Sequence, residues 1–112
     1  MNHFMVLFRQ PDHDHSKASP MEMQALVRRW QDWVGGIAAQ GRLADNGPRL
    51  SPDGKVLKAD GAVLDGPFAE IGMTLGSFIV VKAGSLEEAA LVVQGCPVLE
   101  MGGSVEVRPV IN

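Results

Sequence analysis

The sequence predicts an α+β domain: an antiparallel sheet with two helices on one face. Three observations predict it. Two segments, Ser19-Pro20-Met21-Glu22 and Ser85-Leu86-Glu87-Glu88, carry Ser and Glu three residues apart, the reciprocal capping signature of a helix start. Two runs, Phe4 to Arg9 and Gly76 to Lys82, are apolar on both faces, as strands in the middle of a sheet are. The order strand-helix-strand occurs twice, with a hairpin between the two units.

Phe4 to Arg9 (FMVLFR) reads as the first strand. Gln10 to Ser19 is a polar loop. The first helix opens at Ser19, with Pro20 suited to the first helical position, and runs to about Gln40, where Gly41 suits the stop. Met23, Leu26, Val27, Trp30, Val34, Ile37 and Ala38 recur at helical spacing and form the face that packs on the sheet. Gly35-Gly36 costs this helix on the order of 1 kcal/mol per glycine against alanine. A close backbone approach or a widened pocket would justify that cost. Trp30 lies on the buried face, with Trp33 beside it. They read as a core residue plus a subunit contact, or as an aromatic wall for a ligand.

Leu43 to Leu50 reads as a second strand, interrupted by Asn46-Gly47-Pro48. Ser51-Pro52-Asp53-Gly54 is a turn. Lys55 to Lys58 and Ala62 to Leu64 flank Asp60-Gly61, a type I′ hairpin signal, so this insert is expected to extend the sheet edge as a small meander. Asp65-Gly66-Pro67-Phe68 then breaks the chain as a stiff turn, with Glu70 close by. Gly76 to Lys82, β-branched and aromatic with no proline, is the central strand. The second helix runs from Ser85 to about Gln94 and stops at Gly95; Leu86, Ala89, Ala90 and Val93 form its apolar face. Gly102-Gly103 turns the chain into a last strand, Ser104 to Val110.

The result is a split βαβ, ferredoxin-like plan in one domain spanning 1–112. It leaves one sheet face bare. A bare apolar face on a small protein needs cover, and a second copy is the simplest cover, so a homodimer is expected.

Composition narrows the function classes. A net charge of −3 argues against a nucleic-acid surface. No apolar run approaches the roughly 20 residues a membrane helix needs. The N-terminal residues lack the pattern of a signal peptide, and the lone cysteine, Cys96, has no internal disulfide partner, so a cytoplasmic location is expected. No cofactor is expected: there is no phosphate-cradling glycine loop before a helix and no Cys-His zinc spacing. Asp12-His13-Asp14-His15 offers metal-ligating types, but four adjacent loop residues rarely converge on one ion, so no physiological metal is assigned; adventitious nickel or zinc suits the tract better.

Asp65-Gly66-Pro67-Phe68-Ala69-Glu70, Gly76-Ser77-Phe78, Ser85 to Ala89 and Gly102 to Pro109 together resemble the DGPF-domain proteins, the YCII-related group. The similarity runs from the strand at Phe4 to Arg108-Pro109. It implies a dimeric α+β barrel with pockets between sheet and helices. It also implies a His–Asp pair in YCII-type relatives, the His on the first helix and the Asp just after the second. Here Trp30 stands where that His would be and Cys96 where that Asp would be. Indole is no base at neutral pH, so the pair's acid–base chemistry is not expected. Members of the group are often encoded beside sigma factors of the extracytoplasmic-function type, which implies a possible protein partner.

Three readings follow. The first is a homodimeric binding module holding a small organic ligand near Arg9, Trp30, Asp65 and Phe68. The second is an acid–base enzyme, of hydrolase or lyase type, using Asp65 or Glu70. The third is an interaction protein with a sigma-factor partner. Cys96, at the end of the second helix, reads as a small buried residue, because the negative helix end disfavours a thiolate.

Overall fold

The computed structural model describes residues 2–11, 19–70 and 72–111. In chain order they form β1 (Asn2–Pro11), α1 (Pro20–Ala39), β2 (Leu43–Asp45), β3 (Gly54–Leu57), β4 (Val63–Gly66), β5 (Ala69–Glu70), β6 (Met73–Ala83), α2 (Leu86–Val92), a 3-10 helix (Pro97–Met101) and β7 (Ser104–Pro109). The main sheet has the order β2-β6-β1-β7, with β5 also paired to β6. All its pairings are antiparallel. Strand β6 lies between β2 and β1, and β1 lies between β6 and β7. Each βαβ unit is therefore split by a strand of the other, which is the ferredoxin-like plan.

Alternation along the two central strands sets the core. Phe4, Val6 and Phe8 on β1 and Ile79, Val81 and Ala83 on β6 are buried. Successive side chains point to opposite faces, so these six share the helix-covered face. Burial of each large side chain among them contributes about 1.5–3 kcal/mol. Val105 and Val107 of β7, opposite Phe8 and Val6, pack against the same cluster, as does Leu43 of β2. Met5, Leu7 and Arg9 point to the other face. A bulge between Phe8 and Arg9 shifts the register with β6 by one residue, so that Phe8 faces Ser77 and Arg9 faces Leu75.

Both helices start as their serines predict. Ser19 Oγ accepts from the Glu22 N–H at 3.1 Å, and Ser85 Oγ accepts from the Glu88 N–H at 3.1 Å. The Glu88 carboxylate turns to the Arg42 guanidinium, which ties the start of α2 to the segment before β2. Only Val34 and Ile37 of α1 are buried. Gly35 and Gly36 are solvent-facing, and a Cβ at either would meet nothing within 4 Å. Neither a close approach nor a pocket calls for them, which corrects the sequence expectation; nothing in the structure explains the pair.

The segment between β2 and β6 departs from expectation most. It does not extend the sheet as a meander. Strands β3 and β4 form a separate two-stranded sheet, and only β5 and an isolated bridge from Arg49 to Ser77 reach β6. Pro48, Pro52 and Pro67 supply no N–H for pairing, and they flank the hairpin on both sides. The hairpin turn is also different. Lys58 N–H bonds Ala62 O at 2.8 Å and Gly61 N–H bonds Lys58 O at 3.0 Å, with Gly61 at φ 91°. That is a three-residue loop with a bulge glycine, in place of a two-residue type I′ turn. Asp65 and Gly66 belong to β4, where Asp65 lies opposite Lys55. The break in the chain falls on Pro67 and Phe68.

Candidate functional site

A cavity of about 390 Å³ opens between α1 and the sheet. It exists because the two halves of α1 pack differently. The C-terminal half seats Val34 and Ile37 in the core. The N-terminal half presents Met23 and Leu26, half-buried, and Val27, 42% exposed, to open space. The floor is Phe8 and Gln10 of β1 and residues 76–79 of β6. The 3-10 helix adds Val98 and Met101, and the segment after β2 adds Asn46, Gly47, Arg49 and Leu50. That segment is held against β6 by the Arg49–Ser77 bridge and by the Leu50 N–H bonding Gly76 O at 2.8 Å. Gly47 is required for the fit, since a Cβ there would lie 2.4 Å from Phe78 O.

Trp30 stands where the packed and open halves meet. Its ring meets Phe8 edge-on, with centroids 4.8 Å apart, and Trp33 meets Phe8 similarly at 5.7 Å. The two indoles lie 5.5 Å apart. Trp33 Nε1 donates to Gln94 O at 3.1 Å, fixing α1 to the segment after α2. Edge-to-face aromatic pairs add about 0.5–1.5 kcal/mol each beyond area burial. Trp30 thus serves as a core residue and as a cavity wall at once, and Trp33 has its partner within the chain.

Of the four residues expected to line a pocket, the structure puts only Trp30 in this one. Arg9 projects from the opposite sheet face and pairs with Glu106 at 2.6 Å. Asp65 is ion-paired to Lys55 on the separate hairpin, with its side chain 88% exposed. Phe68 is exposed, 5.9 Å below the Lys58 ammonium. Glu70, the other carboxylate weighed as a base, is exposed on β5. Within one chain these groups do not converge. The Asp65 side chain bonds across the hairpin because Lys55 lies directly opposite, whereas a turn residue would have bonded backbone N–H groups.

The chemistry of the cavity is mostly apolar, with a few polar groups. Gln10, Gln31, Asn46 and Ser77 are neutral, and Arg49 is the one charged residue among the described residues of the lining. The loop residues were missed from sequence because they follow an interrupted edge strand that shows no periodic pattern. The face of α1 was legible, but as a core face. Cys96 is buried and precedes the 3-10 helix; the helix α2 has already ended at Val92. Burial pushes its thiol up to about 11, while a backbone hydrogen bond from Val98 acts in the opposite sense. Burial thus replaces the helix-end field as the main reason the Cys96 thiol stays neutral. It belongs to the core cluster against which Trp30 packs. The Cys96 thiol is therefore neutral at neutral pH.

Asp12-His13-Asp14-His15 lies outside the described residues. Among the described residues no three His, Cys, Asp or Glu side chains are grouped to hold a metal ion. No helix among them is long and apolar enough to cross a membrane. No curated protein is significantly similar to the chain. A family model does match, over residues 3–112, and it is that of the YCII-related domain. The match spans both split βαβ units, the hairpin between them and every wall of the cavity, and on that ground the chain belongs to the YCII-related domain family.

Proposed function

We propose that this protein binds a small organic ligand in the cavity between α1 and the sheet, and does so as a homodimer. The cavity carries the reading. Its 390 Å³ falls within the roughly 300–1,000 Å³ of small-molecule sites. It has the composition of such sites, apolar walls with a few polar groups. Its walls come from several distant parts of the chain, so their spacing is fixed by the fold.

The uncovered sheet face supports the dimer. Met5, Leu7 and Val80 make an apolar stripe there, bordered by the Arg9–Glu106 ion pair. The Cα atoms span 42 × 41 × 20 Å, and their radius of gyration of 15.4 Å exceeds the roughly 13 Å of a compact domain this long. A slab of that shape gains by stacking face to face on a second copy. A cytoplasmic setting fits the single, buried cysteine.

A native mass spectrum of freshly purified, untagged protein tests both parts. Twice the chain mass with a reproducible small adduct is the expected result. A bare monomer would remove the dimer. Protein that carries no adduct, and whose melting temperature is unmoved by a broad library of small organic compounds, would remove the ligand site.

A further inference from the structure

The polar groups of the cavity point to the kind of ligand it takes. Among the described residues Arg49 is the sole charged one in the lining, and no Asp or Glu of theirs lines the space. Among the described residues Arg49 has no ion-pair or hydrogen-bond partner for its guanidinium. Arg9, Arg29, Arg42 and Arg108 are each paired to a carboxylate, and Arg28, on the exposed side of α1, is the other described arginine with no such pair. The chain as a whole carries a net charge of −3, so acidic groups were available to it. The backbone of Arg49 is also fixed, by its bridge to Ser77 and by the bond from Leu50 to Gly76. The stem of this side chain thus starts from a set position at an apolar cavity, exposed and paired with no carboxylate among the described residues.

We infer that the cavity takes a small amphipathic monocarboxylate: an aromatic or aliphatic body seated against Trp30 and Leu26, and a carboxylate paired with Arg49. The inference rests on the ligand-site reading above and specifies its chemistry. A guanidinium fork matches a carboxylate in a two-point contact. One cation balances one negative charge. A phosphate ester carries nearly two and is usually met by further cations or a glycine loop before a helix, and among the described residues neither lines this space. The neutral Gln10, Gln31 and Ser77 suit the polar substituents of such a ligand without selecting for charge.

Matched probes test this on the full-length protein. Phenylacetate and indole-3-acetate are compared with their amides, phenylacetamide and indole-3-acetamide, and with phenyl phosphate, by titration calorimetry at low and high sodium chloride. Each carboxylate is expected to bind roughly tenfold to hundredfold tighter than its amide. The preference should shrink in high salt and vanish in Arg49→Met, which keeps the amide-level affinity; Arg49→Lys should restore part of it. Arg49 is exposed, so these variants keep the fold. Met23→Trp, which fills the open end, should weaken acid and amide alike.

Equal binding of acid and amide would overturn the carboxylate while leaving the ligand site standing. Tighter binding of phenyl phosphate would overturn it in favour of a phosphate. A preference that survives Arg49→Met would remove Arg49 from the role. Failure of every probe to bind, acids and amides alike, would overturn this inference, and the ligand-site reading falls with it where the broad compound library also leaves the melting temperature unmoved.

Discussion

Helix α1 is one continuous element, yet its two halves have different fates. Around Val34 and Ile37 it is locked against the sheet; around Met23, Leu26 and Val27 it lines open space. Both halves carry apolar residues at the same helical spacing. The difference lies in what faces them. Near Ile37 the floor is filled by large side chains of the core cluster. Around Leu26 the walls of the cavity come from β1, β6, the 3-10 helix and the segment after β2, and they leave the space between them open. Periodicity tells which side of a helix turns inward; whether the inside is full depends on residues far away in the chain.

Substitutions can break or sharpen this contrast. Ile37→Ala should cost about 3 kcal/mol, since the side chain is fully enclosed and its removal leaves a hole the core cannot close. Urea unfolding measures it, and a loss below that of Leu26→Ala would erase the distinction. Alkali should weaken the packed end. The Cys96 thiol is raised to about 11 in the fold against 9.0 in its ordinary state, so the unfolded chain ionises first. Its contribution is full below about pH 9 and is lost as pH climbs towards 11. Denaturant curves across that range should fall more steeply for the native chain than for Cys96→Ala.

Leu26→Ala should cost only about 1 kcal/mol, because the side chain already borders empty space and little contact is lost. Gly36→Ala should stabilise by about 0.5–1 kcal/mol, read as a higher melting temperature, because the position is helical and open. Asp65→Asn should change stability by less than about 0.5 kcal/mol, as an exposed ion pair on a separate hairpin contributes little. A large effect there would mean that the hairpin has a partner beyond its own chain.

Much of the fold was legible. The order of elements, both serine caps and the central place of β1 and β6 follow from capping patterns and from runs apolar on both faces. These signals are local, and their consequences are local too. The insert was less legible, because proline positions decide whether a hairpin joins a neighbouring sheet or stands apart, and that depends on donors the neighbour needs. The cavity was the least legible part. Trp30 could be named because indole rings on a packing face are few. Arg49 could not, since an arginine after an interrupted edge strand reads like any surface cation until the strand it bridges is known. Asp65 drew attention through its turn-forming neighbours, and the cross-strand Lys55 accounts for it instead.

The close indole pair has an optical consequence. The chain has two tryptophans and no tyrosine, so its near-ultraviolet absorption and emission arise almost wholly from Trp30 and Trp33. With ring centroids 5.5 Å apart and planes tilted by 51°, the two chromophores couple and form a chiral pair in circular dichroism. One of them walls the cavity and the other is tied to the segment after α2. The protein therefore carries a label-free spectroscopic probe at the boundary between its filled and empty halves. A molecule seated against Trp30 alters the coupled signal directly, while a change confined to the distant hairpin leaves it untouched.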